Sequence, residues 1–165
     1  VPLTARACSD DKFREMHMFK HILLPTDGSK LAARAIDRAT GLAKSLHAKV
    51  TLLSVVPEFR MIADESFAVP MSADLKQRYE KEAKLRAEKM LAAIKKRMTK
   101  AGLRSEAVVV ASDLPYQQII AVARRRKCDL VVMASHGRRG LTGLLLGSET
   151  VKVLTHSKIP VLVVR

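Results

Sequence analysis

The chain has 165 residues, 48% of them apolar and 28% charged, with a formal net charge of +14. That length and balance suit one globular domain with a core of its own, and no apolar run nears the roughly 18 residues of a membrane-spanning helix. Cys8 and Cys128 are too few for a disulfide scaffold and lack metal-ligand spacing, so both read as reduced thiols in a cytoplasmic protein with no metal centre and no membrane segment.

Residues 1–17 show no sustained period and no apolar signal-peptide core, so they are expected to lie outside the fold as a leader or upstream start, with a single domain over 18–165. A short apolar run, Ile22 to Leu24, is stopped by Pro25 and followed by Asp27, Gly28 and Ser29, which are turn and helix-cap residues. Ala32, Ala35, Ile36, Ala39, Leu42, Ala43 and Leu46 then recur at helical spacing up to His47. The next run, KVTLLSVV at 49–56, is apolar on both faces, as a central parallel strand is.

An irregular link over 57–71 leads to Ser72, a helix cap, and to a long helix whose stripe is Leu75, Tyr79, Ala83, Ala87, Met90, Leu91, Ile94 and Met98, closed by Gly102. RSEAVVVAS is a third strand, PYQQIIAVARRRK a helix starting at Pro115, and CDLVVMAS a fourth strand. A glycine-rich segment follows, then a helix through Val151 and Leu154, and finally a fifth strand, IPVLVVR. Five apolar strands alternating with four helices imply an α/β fold with an open parallel sheet and helices on both faces. Ligands of such sheets sit beyond the carboxyl ends of the strands, where strand order reverses.

Two loops qualify, PTDGS after the first strand and ASHGRRG after the fourth. Residues 133–154 hold four of the seven glycines, Gly137, Gly140, Gly143 and Gly147, and glycine is placed where φ is positive or where backbone must approach something closely. A glycine-rich turn entering a helix can present several N–H groups to a phosphate. Gly147 and Ser148 stand where an N–H and a hydroxyl would both donate, and Arg138 and Arg139 would add charge. There is no G-x-x-x-x-G-K-[ST], and no G-x-G-x-x-G follows the first strand. Asp27 in the first turn suits ribose hydroxyls, so base and ribose at the first loop with phosphates at the fourth form a coherent pose.

KHILLPTDGS, AKVTLLSVV, CDLVVMASHGRRGLTGLLLGSET and HSKIPVLVVR, spread over 19–165, resemble the successive signatures of the universal stress protein family. The resemblance implies an adenine nucleotide alpha hydrolase-like fold, a strand order of 3-2-1-4-5, a stress-response role, and homodimers paired through the last strand. The family's nucleotide-binding branch carries G-x2-G-x9-G-[ST]. Gly137, Gly147 and Ser148 fit that pattern, while its first glycine falls on Ala134; a glycine at a positive φ could not be replaced by alanine without a cost on the order of 1 kcal/mol.

Carried over by position, the resemblance puts Asp27 at the ribose, Val55 and Met133 on either side of the adenine, and Gly137, Gly147, Ser148 and Glu149 around the phosphates, with Pro25, Thr26, Ala134, His136 and Arg138 completing the expected cofactor-binding residues. The implied cofactor is ATP, with or without magnesium, and the implied partner an unidentified regulatory protein. No carboxylate pair or nucleophile and base accompany His136, so no catalytic residue is assigned and any ATP hydrolysis should be slow.

Residues 124–165 hold nine basic and two acidic residues, half of the net charge, which places the positive field toward the end of the chain. The alternative function is a universal stress protein that does not bind ATP and acts through protein or nucleic-acid contacts of this basic surface, ARRRK at 123–127 with Arg138 and Arg139. Six aromatics and the lack of a recognised module argue against nucleic acid.

Overall fold

The computed structural model describes residues 19–58, 73–137 and 146–165. Its strands are β1 (His21–Pro25), β2 (Lys49–Val56), β3 (Ser105–Ala111), β4 (Leu130–Ala134) and β5 (Val161–Val164), and its helices are α1 (Lys30–Ser45), α2 (Ala73–Lys100), α3 (Pro115–Arg125) and α4 (Ser148–His156). All strand pairs are parallel, in the order β3-β2-β1-β4-β5. This is the 3-2-1-4-5 sheet of the sequence analysis. Residues 1–18, the link at 59–72 with the expected cap Ser72, and 138–145 with Arg138, Arg139, Gly140 and Gly143 lie outside the described residues.

Side chains alternate across the pleat and build two cores. Ile22, Leu24, Val50, Leu52, Leu130 and Val132 pack with Ala35, Ile36, Ala39 and Ala43 of α1 and with Leu91 and Met98 of α2. On the opposite face Leu23, Leu53, Val131 and Met133 pack with Ile119, Val122 and Ala123 of α3 and Val153 of α4. Because β1 and β4 are buried on both faces, their sequence is continuously apolar; edge strands β3 and β5 are only half-buried.

Helix termini follow local chemistry. Ser29 caps α1, its Oγ accepting the Ala32 N–H at 3.1 Å. Gly102, at φ 80, closes α2 in the left-handed conformation. After α1 and α3 the same conformation falls to His47 (φ 51) and Lys127 (φ 54), residues that lack glycine's freedom. The first helix accordingly ends at Ser45, two residues before the expected His47.

Two stripes differ from expectation. In α2 the buried positions begin at Ala83, while Leu75 and Tyr79 are exposed, because a 28-residue helix at 1.5 Å per residue outruns strands of five to eight residues and its first turns project past the sheet. In α4 the buried residues are Thr150 and Val153, whereas Val151 and Leu154 face outward. Thr150 can be buried because its hydroxyl donates to the carbonyls of Ala134 and Ser135 at 3.1 and 3.2 Å.

Candidate functional site

Strand order reverses between β1 and β4, whose chain continuations leave in opposite directions, one to α1 on one face and the other toward α4 on the other. The crevice this opens is a cavity of about 620 Å³. Pro25, Thr26, Asp27, Val55, Met133, Ala134, His136, Gly137, Gly147, Ser148 and Glu149 all line it. Every site residue named from sequence thus meets at one place, apart from Arg138, which lies outside the described residues.

The first loop is braced from within. Asp27 Oδ1 accepts the Ser29 N–H at 2.9 Å, Thr26 Oγ1 accepts the Gly28 N–H at 3.2 Å, and Gly28 takes φ 79. Ser29, not Asp27, therefore caps α1, and the second carboxylate oxygen of Asp27 points toward the glycine loop: a Cβ added to Gly137 would lie 2.9 Å from Oδ2. Thr26 N donates to the Leu53 carbonyl at 2.8 Å, which fixes the loop to β2.

The reason for glycine in the fourth loop is close approach. Gly147 has φ −74 and ψ 155, values open to any residue, but its Cβ would sit 3.3 Å from both the Ser135 carbonyl oxygen and His136 Cα. Its own N–H donates to that Ser135 carbonyl at 2.8 Å. Ala134 ends β4 in extended backbone and lies outside the positive-φ residues, so alanine at the first motif position carries no conformational penalty.

Gly147 is the N-cap of α4 and no side chain caps that helix. Its first-turn N–H groups have no acceptor within the helix, and Ser148, Glu149 and Thr150 carry them on the cavity wall. His136 adds a polar ring nitrogen. Its Nδ1 lies 3.2 Å from Ser135 Oγ, and Nε2 is buried without a hydrogen-bond partner among the described residues. Leu53, Val55, Ile119 and Met133 give the cavity an apolar part of its lining.

Six lining residues escaped the sequence analysis: Ala32, Leu53, Asp113, Pro115, Ile119 and Thr150. Asp113 had a local signal, the S-D-L-P turn after β3, where Ser112 Oγ accepts the Leu114 N–H and Asp113 Oδ1 accepts the Glu58 N–H. The lining holds three carboxylates and, among the described residues, no lysine or arginine. Glu149 is engaged away from the helix end, since its two oxygens accept from the Tyr116 N–H and from Lys152 Nζ.

A doubly wound parallel sheet with a cavity at its switch point, lined by apolar side chains and by an uncapped helix terminus, defines an α/β protein with a crevice where sheets of this kind take ligands. The sequence profile of the universal stress protein family matches residues 18–165, and the chain belongs to that family. It is 30% identical to universal stress protein MJ0577 of Methanocaldococcus jannaschii over 90% of this chain and 96% of that one. Identity is 34% with a universal stress protein of Thermus aquaticus, over 90% of this chain and all of the other. The solved structure of MJ0577 superposes with a TM-score of 0.76, at 29% identity over 89% of this chain and 96% of that one. A universal stress protein solved in complex with cAMP superposes at 0.60, with 25% identity over 89% and 97% of the two chains.

Proposed function

We propose that this universal stress protein binds an adenine nucleotide, ATP in the first instance, and that binding regulates its contacts with other proteins. The observation that carries the reading is the cavity itself, whose lining combines apolar Leu53, Val55, Ile119 and Met133 with the uncapped N-terminus of α4 at Gly147 and Ser148. Its volume of about 620 Å³ falls in the range of small-molecule sites. The base would lie against the apolar lining and the ribose hydroxyls against Asp27. First-turn amides, the Ser148 hydroxyl and His136 Nε2 would take the phosphates.

Magnesium fits as a companion of the phosphates. Hard oxygen ligands line the cavity at Asp27 and Asp113, but no group of three or more candidate ligands forms a cage among the described residues. The ion would enter on the nucleotide and neutralise charge that no described lysine or arginine opposes. The cAMP complex of a family member supports an adenine ligand as a class.

The same reading includes a homodimer through β5 in the cytoplasm. β5 is a sheet edge, and Leu162 on it, with Val151 and Leu154 on α4, is a large apolar residue left exposed. Such an edge calls for pairing.

Acid extraction of the purified protein, followed by anion-exchange chromatography, tests the nucleotide. About one adenine nucleotide per chain is expected, or, from an empty protein, a saturable heat on titration with ATP and magnesium. An empty extract together with no heat from ATP, AMP or cAMP would remove the proposal.

A further inference from the structure

The positive charge is sorted by the fold, not by the order of the chain. In a sheet of parallel strands joined through helices, every helix C-terminus and every strand start comes to the same end, opposite the cavity. That end gathers Lys20, residues 44–49, 95–106 and 124–129, and Lys158. Together these carry thirteen basic and two acidic residues, a net +11 of the chain's +14. All thirteen cations are exposed.

The register places them side by side. Lys49 donates its N–H to the Lys20 carbonyl, and Val50 donates to that of Arg104, so Arg104, Lys49 and Lys20 stand in a row on adjacent strand starts, about 4.8 Å apart per strand. Lys44, His47 and Arg104 line an open cleft of about 400 Å³ between the two turns that end α1 and α2. The long helix shows the same sorting within itself. Its acids, Asp74, Glu80, Glu82 and Glu88, pair with Arg78, Lys76, Arg86 and Lys84 in the first half. Residues 89–100 then carry five cations and no acid. Among the described residues, ion pairs engage only Arg97, with Asp37, and Arg126, with Glu106, of the thirteen.

Complementing the helix dipole needs one or two cations per C-terminus, so most of this charge is surplus to the fold. We infer that the strand-start end of the sheet is a docking surface for the phosphodiester backbone of a nucleic-acid duplex, read without sequence preference. Protein interfaces have cores rich in aromatic and apolar side chains and poor in lysine; of the exposed large apolar residues, Leu75, Tyr79, Leu85, Leu114 and Val151 belong to the first halves of their helices or to a helix N-cap, and only Leu154 and Leu162, at the β5 margin, come near this end. Backbone neutralisation needs only arrayed lysine and arginine, and a lack of aromatics limits base reading rather than phosphate contact. The ARRRK run supplies four of the thirteen cations and is not the whole of this surface.

Fluorescence anisotropy with a labelled 24-base-pair DNA duplex in two unrelated sequences tests the surface. Both should bind equally, with log affinity falling linearly in log salt by about 0.9 per phosphate neutralised. The variant Lys44→Glu, Arg104→Glu, Arg124→Glu, Arg125→Glu should bind at least about tenfold more weakly at equal salt. Reversing Lys76, Lys81, Lys84 and Arg86 on the first half of α2 makes the same change in net charge and should have a much smaller effect, with melting curves of both variants showing folded protein. Saturating ATP should not compete. Equal losses in the two variants, no binding at 50 mM salt, displacement by ATP, or tighter binding to phosphatidylserine vesicles than to the duplex would each overturn the inference.

Discussion

Glu149 Oε2 accepts the backbone N–H of Tyr116 at 2.9 Å, across 33 residues of sequence. Leu114 is the N-cap of α3 and offers no side-chain acceptor, and Pro115 follows it, so the carboxylate on α4 does for α3 what a local cap would do. Its other oxygen accepts from Lys152 Nζ at 2.8 Å, and Lys152 in turn lies 5.4 Å from the centre of the Tyr116 ring. The bond ties together the two helices that cover one face of the sheet. Glu149→Ala should destabilise the protein by about 1–2 kcal/mol, as loss of a cap does, while Glu149→Gln, which retains an acceptor oxygen, should lose less. Urea melts read both.

Glu149 also shows what sequence could and could not give. Strand and helix types follow from local period, and the 3-2-1-4-5 order came from a family resemblance in four short signatures. The family resemblance put Glu149 at the phosphates, and Glu149 lines the cavity, but its carboxylate is directed by a partner 33 residues away, which no local pattern reports. Leu75 and Tyr79 fit the helical stripe and yet are exposed, because a period shows which face of a helix is apolar and not where the sheet beneath it stops. The basic end is the same kind of fact: its residues are scattered from Lys20 to Lys158 and meet only through topology.

Left-handed backbone at Lys127 gives a stability prediction. With φ 54 in a turn after α3, Lys127→Gly removes a steric cost of roughly 1–2 kcal/mol, partly offset by greater freedom of the unfolded chain. A net gain of about 0.5–1 kcal/mol in thermal or urea unfolding is expected. A loss would mean that the lysine side chain holds the turn.

His21 predicts how stability responds to acid. It is 5% exposed, with Nε2 2.8 Å from Thr51 Oγ1 and Nδ1 without a close hydrogen-bond partner among the described residues. Burial, with Lys49 nearby, holds its pKa below the ordinary 6.5. The unfolded chain therefore takes up this proton first, so the stabilisation is present above about pH 6.5 and is lost as pH falls toward the lowered folded value. His21→Gln should flatten the stability profile below pH 6.5 relative to wild type, and an unchanged slope would assign the acid sensitivity to other groups.

The open side of β5 can be tested without breaking its ladder. Val131 and Ser135 donate to the carbonyls of Pro160 and Val164, and the alternation of a parallel ladder then turns the Val163 N–H outward. Val163→Pro removes that outward donor while sparing the bonds to β4. In sedimentation velocity the variant should shift from dimer toward monomer, with a melting temperature near that of the monomeric species at the same concentration. A dimer of unchanged affinity would place the contact between copies elsewhere.

Gly147 separates phosphate recognition from bulk charge. Its backbone torsions suit any residue, but a Cβ there would press on Ser135 and His136 at 3.3 Å, and an aspartate would also set a carboxylate against the phosphates at the end of α4. Losing one charge-assisted contact is worth roughly 1.5–3 kcal/mol, about ten- to a hundredfold in affinity, and like-charge repulsion adds to it. Gly147→Asp should therefore abolish measurable ATP binding at ordinary salt. The pair Arg124→Ala, Arg125→Ala sits beyond the opposite end of the strands and should leave ATP affinity nearly unchanged while weakening the duplex. Calorimetry with ATP and anisotropy with DNA, run on both variants, should then show opposite selectivities. If the arginine pair instead governs ATP affinity and that affinity collapses steeply with salt, nucleotide is held at the basic end and the cavity between β1 and β4 is not its site.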